Sequence, residues 1–210
     1  MNKIIQVQLS VMRFLEFFIW GSWYVTMGIY LPNSLGASDP EIAMAYSTQS
    51  WGAIIAPFII GLIADRYFNA ERILGVLHLI GAVLMVQLAY ATSFNGFYPY
   101  ILGYMILYMP TLALVNSVSF NQMDDPAKQF SLVRVFGTTG WIVAGLAISY
   151  FFHWDSVEGL ANGHLKNTFL MTAFASGVLG FFSFTLPKTP PAISGKRKIR
   201  IAEIIGLEAL

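Results

Sequence analysis

Hydrophobic residues in this chain come in long unbroken blocks rather than at amphipathic spacing. Six blocks, Val7–Leu31, Ile42–Ile63, Ile73–Thr92, Tyr98–Phe120, Phe130–Phe152 and Thr168–Leu186, are separated by short polar breaks. Each is long enough to cross about 30 Å of hydrocarbon, which takes about 20 helical residues. Strand-like alternation is absent, and lipid does not tolerate unpaired backbone, so each block is expected to be a membrane-spanning helix. The breaks carry turn-forming residues: Pro32-Asn33-Ser34, Ser93-Phe94-Asn95-Gly96, Asp124-Asp125-Pro126, and Pro187, Pro190 and Pro191.

Composition agrees with this pattern. Charged residues are 11% of the chain and hydrophobic residues 56%, against roughly 25% charged in a soluble domain. Such a chain cannot cover a soluble core with a charged surface. With no cysteine, disulfide and thiol chemistry are excluded. Nine of the twelve Lys and Arg residues (Lys3, Arg66, Arg72, Lys128, Lys188, Lys196, Arg197, Lys198, Arg200) fall on one side of the expected membrane and only Lys166 on the other. The positive-inside rule then puts both termini and the second and fourth loops in the cytoplasm, as an even number of spans requires. Residues 1–187 are expected to form the bundle. Residues 188–210 read as a cytoplasmic basic linker leading into further membrane protein, with binding to lipid headgroups as the alternative.

The last two basic residues, Arg13 and Arg134, lie inside spans, as does Glu16. A charge there is costly and is a functional hypothesis by default. Glu16 sits near mid-membrane with Arg13 three residues earlier on the same helical face. The two can form a structural ion pair, or Glu16 can face a cavity and carry a proton. Trp20, Trp23, Tyr24 and Met27 continue that stripe. Asp125-Pro126 is a strong helix start, which puts Arg134 about 12 Å into the fifth span. Thr138 and Trp141 share its face. A guanidinium fork, a hydroxyl and an indole together suit a polar ligand with a flat ring. In the fourth span, Pro110 frees a backbone carbonyl beside Thr111, Asn116, Ser117 and Ser119. The first span is expected to be interrupted likewise, at Gly21 and Gly28, and interrupted spans at matching positions point to a midplane site. Gln49, His78 and Gln87 are further intramembrane polar groups, His78 reading as a histidine satisfied by a neighbouring helix.

No GxxxxGK[ST], HExxH, CxxC or GxSxG pattern occurs. An enzyme, a metal centre and a cofactor are therefore not expected.

Gly61-Leu-Ile-Ala-Asp65-Arg66, after the second span, resembles the loop signature G-x-x-x-D-[RK]-x-G-[RK]-[RK] of the major facilitator superfamily. Phe68, Asn69 and Ala70 replace its later Gly and two basic residues. Phe18–Trp23 (FIWGSW), Met109–Asn116 (MPTLALVN), Val133–Thr138 (VRVFGT) with Gly140 and Trp141, and Thr185–Pro187 resemble more narrowly the nucleoside:proton symporters. The resemblance covers the whole chain and implies an all-α fold of two inverted three-helix repeats, the N-terminal half of a transporter about twice as long. It implies proton-coupled nucleoside uptake by alternating access across a bacterial inner membrane, with the lipid bilayer and the C-terminal half as partners and no role for nucleic acid. Arg134, Thr138, Trp141, Asn116, Trp20 and Trp23 are the expected substrate-binding residues, Glu16 the proton-coupling candidate, and Gly61, Asp65 and Arg66 the gating loop. Glu16 stands where family members carry an amide. Rival readings are a sugar or organic-anion carrier of the same superfamily and, in another class, a self-contained six-span channel or scaffold.

Overall fold

The computed structural model describes residues 2–59 and 67–191. Regular structure among them is helical: α1 Lys3–Gly21, α2 Tyr24–Leu35, α3 Asp39–Ile59, α4 Ala70–Ala89, α5 Phe94–Asn121, α6 Pro126–Leu146 with a π turn Ala147–Phe151, the short α7 Val157–Ala161 and α8 Lys166–Ser183. The gating-loop residues Gly61, Asp65 and Arg66 lie outside the described residues.

Helix starts follow side-chain chemistry. Asn2, Ser93, Asp125 and Ser156 each accept a hydrogen bond from a backbone N–H of the following turn, and Pro126 opens α6 where its missing N–H costs nothing. Among the described residues, four helical stretches, Lys3–Leu35, Ala70–Ala89, Phe94–Asn121 and Pro126–Phe151, are long and apolar enough to cross a membrane on length and composition alone. With α3 and α8 they make a bundle of six long elements, α1 and α2 together forming the first.

The first element breaks once, at Ser22 and Trp23, where the Ser22 hydroxyl and N–H both turn back to the Phe18 carbonyl. Gly28 stays inside α2, so only one of its two expected interruptions exists. α5 runs through Pro110 unbroken. Beside the proline, the Thr111 hydroxyl donates back to the Tyr108 carbonyl at 2.5 Å; the carbonyl that the proline leaves without its amide partner is that of Ile106, four residues back.

Two triplets of helices are related by pseudo-twofold symmetry. α1 packs along α6 and α3 along α5, while α4 packs on α5 and α8 on α1; exchanging the triplets maps each pair onto its counterpart. The match reaches individual residues. Gly140 of α6 lies against the Phe14 carbonyl of α1, and Gly52 of α3 against the Met105 carbonyl of α5. Each glycine sits 13 or 14 residues into its helix and meets a carbonyl 11 residues into its partner. Only glycine permits backbones this close.

The outer surface is apolar in helical stripes, Val76, Ile80 and Val83 on α4 and Phe174, Val178 and Phe181 on α8, as a lipid-facing wall requires. Beyond α8, the Glu71 carboxylate at the start of α4 accepts from the Thr189 N–H at 2.9 Å, and the Ala70 N–H reaches the Thr189 carbonyl at 3.0 Å. The exit segment is thereby fastened to the base of α4.

Candidate functional site

The α1–α6 seam of Val133, Gly137, Gly140 and Ala144 divides α6 into two flanks of different chemistry. Leu132, Phe136 and Val143 form an exposed apolar flank. Phe130, Arg134, Thr138 and Trp141 recur at helical spacing on the other. Both ends of this second stripe touch the interior side of the wall. Phe130 packs on Phe120 of α5 at 4.6 Å and lies under the Arg13 guanidinium at 4.9 Å. Trp141 stands edge-on to Trp20 at 5.5 Å and beside Tyr24 at 6.4 Å. Arg134 and Thr138, between these ends, are exposed and have no hydrogen-bonding or ion-pair partner among the described residues.

An aromatic shelf adjoins the stripe. Trp20 is half-buried between Tyr24, Tyr108 and Trp141. The Tyr24 hydroxyl donates to Gln49 Oε1 of α3 at 2.5 Å, and Tyr46 donates to the Tyr24 carbonyl at 3.0 Å. Arg13, buried on α1, donates to Asn116 Oδ1 of α5, so Asn116 meets the wall through a guanidinium. The Arg13 Nε has no hydrogen-bond partner. The open face thus presents the Arg134 guanidinium, the Thr138 hydroxyl, the Asn116 amide backed by the buried Arg13, and edge-on rings. Such a surface can hold a flat, polar, hydrogen-bonding ligand.

Two expectations need correcting. Trp23 does not join Trp20: it is wholly buried on the other side of α1, against Tyr104 of α5 and Phe169 of α8. The break after Gly21 rotates it off the stripe that an unbroken helix would extend. Of the two readings open for Glu16, neither the direct pair with Arg13 within α1 nor an exposed carboxylate is formed. Glu16 turns inward, where Oε2 meets His78 Nε2 at 2.9 Å and Oε1 meets the Thr111 hydroxyl at 2.6 Å, while Arg13 turns to Asn116. His78 is satisfied from a neighbouring helix, as expected, though its partner is the carboxylate itself. Tyr108, not singled out from sequence, donates to the Glu16 carbonyl at 2.8 Å; in an apolar span, a tyrosine carries no mark of the helix it will meet.

Residues 2–210 match the family described as Nucleoside H+ symporter. The chain belongs to the nucleoside H+ symporter family. It is 42% identical over 204 residues to an Escherichia coli protein called putative nucleoside transporter YegT, covering 97% of this chain and 47% of that protein. It is 38% identical over 212 residues to the E. coli xanthosine permease, covering 98% and 48%. The crystal structure of nucleoside transporter NupG superposes with a TM-score of 0.81 at 29% identity, covering 100% of this chain and 50% of that one. The chain spans about half the length of the curated relatives it matches. It is an integral membrane protein whose all-helical fold is half of a major facilitator fold, and its relatives are transporters.

Proposed function

We propose that this chain is the N-terminal half of a transporter that carries nucleosides with protons by alternating access, using no covalent chemistry. Arg134, Thr138 and Trp141 on α6, with Asn116 and Trp20, form its side of the substrate cavity, and Glu16 takes part in proton coupling. The Arg134–Thr138–Trp141 stripe, with Arg134 and Thr138 exposed and Trp141 half-buried against Trp20, lies on the interior flank of α6 rather than the apolar one and carries this reading. Family membership and the nucleoside-related names of its relatives support the substrate class. Residues 1–187 are the bundle and 188–210 the start of a linker to a C-terminal half, with both termini on the cytoplasmic side of a bacterial inner membrane.

The test is radiolabelled uridine uptake by full-length transporter in energised cells, with sugars and organic acids as competitors. Unlabelled nucleosides should compete and the others should not. Competition by a sugar or an organic acid instead would move the protein to another carrier class. Uptake unchanged in Arg134→Ala would remove the assigned wall.

A further inference from the structure

Thr111 has one hydroxyl hydrogen and two close acceptors. Its oxygen is 2.6 Å from Glu16 Oε1 and 2.5 Å from the Tyr108 carbonyl. With Glu16 ionised, both neighbours compete for the single proton. With a proton on Oε1, the carboxyl donates to Thr111 and Thr111 donates to Tyr108. The other oxygen, Oε2, lies 2.9 Å from His78 Nε2, which donates to it in the tautomer that carries its hydrogen there.

Glu16 has no exposed surface, and His78 and Thr111 are buried with it. Arg13 on its own helix is near enough to feel its charge, and Arg134 of α6 bears on Arg13 in turn. Tyr104 and Tyr108 face it from α5 and His78 from α4. α8 carries no titratable residue between Asn167 and Ser183, and α3 only Tyr46 between residues 42 and 59.

From this geometry we infer that Glu16, His78 and Thr111 form one buried proton seat, in which the proton rides on Glu16 Oε1 and the Thr111 hydroxyl reverses direction as it comes and goes. His78 and Thr111 are positioning residues. On deprotonation the Thr111 hydrogen swings from the Tyr108 carbonyl to Oε1, and the proton leaves as a solvated proton. The negative carboxylate then draws on Arg13, which Asn116 holds at the edge of the substrate wall. Proton occupancy in the core is thus tied to guanidinium position at the wall.

This inference rests on the symport reading, and the experiment separates the two. Full-length transporter in liposomes is assayed for nucleoside exchange and for uphill accumulation under an imposed pH gradient. If wild type neither exchanges nor accumulates nucleoside, the symport reading falls. If it does both, Glu16→Gln should keep exchange and lose accumulation. Thr111→Val removes a donor the ionised carboxylate depends on, so half-maximal accumulation should move up by about one pH unit. Thr111→Ser should restore the wild-type profile. His78→Gln, which keeps a neutral donor, should still accumulate. Accumulation by Glu16→Gln, or identical pH profiles for Thr111→Val and wild type, overturns the inference. Should Glu16→Gln fail to fold, the Thr111 pair decides alone. Should Thr111→Val also fail to fold while Thr111→Ser folds with a shifted profile, the seat is only structural and the inference falls.

Discussion

Arg134 and Arg13 are both guanidiniums in spans, yet their surroundings separate their uses. Arg13 is committed to Asn116 and stacks over Phe130; Arg134 is exposed on the stripe that Trp141 ends. A guanidinium free to fork onto a ligand contributes charge-assisted hydrogen bonds of about 1.5–3 kcal/mol. Arg134→Ala is therefore expected to raise KM for nucleoside uptake by about 10- to 100-fold, and Arg134→Lys to recover only part of it, since an ammonium lacks the planar fork. The two tryptophans offer a contrast. Trp141→Ala should raise KM and leave thermal stability near wild type. Trp23→Ala empties a site closed by Tyr104 and Phe169 and should cost about 3–5 kcal/mol in stability, with KM of the folded fraction unchanged. Parallel uptake and melting measurements in detergent check both. The pairing of Glu16 with His78 was not legible in sequence. Glu16 was marked by its cost in lipid, but its partner is 62 residues away, and a cross-helix pair is set by which faces pack.

Element positions were written in the chain far more plainly than contacts. Lipid requires an apolar block for each helix, and Asp125-Pro126 marked the start of α6 to the residue. The finer breaks were less readable because proline or glycine alone does not decide them: α5 runs on through Pro110, while the first element opens at Ser22 and Trp23, where the Ser22 hydroxyl folds back on Phe18. Glycine seams were visible only as small residues, without their partners. At Gly140 a Cβ would come 2.2 Å from the Phe14 carbonyl, and at Gly52 2.4 Å from that of Met105. Each glycine-to-alanine change should therefore cost about 1–3 kcal/mol by overpacking, read as a lowered melting temperature in detergent. Gly145→Ala, with nothing within 4 Å of the added carbon, should melt as wild type does.

At the scale of the whole molecule, the open wall has a partner to find. Arg134, Thr138 and the edge of Trp20 face outward from the half-fold, and polar groups left unpaired in hydrocarbon are costly. The 210-residue chain by itself is expected to accumulate no nucleoside in liposomes under a pH gradient, and co-expression with a six-helix C-terminal half should restore accumulation. Uphill uptake by the isolated chain would contradict the division of labour between halves. The fold class was legible from block count and loop signatures. The inverted repeat came only through the family resemblance, because the two triplets share geometry rather than sequence.

The paired glycine contacts bear on how such a wall can move. A backbone carbonyl seated against a glycine leaves no slack for one helix to slide along another, and the two seams clamp α1 to α6 and α3 to α5 at equivalent heights. The bundle therefore has few soft joints of its own. In the proposed transporter it would act as a lever arm that swings whole, and a proton held beside Glu16 would express itself as a tilt against the opposite half.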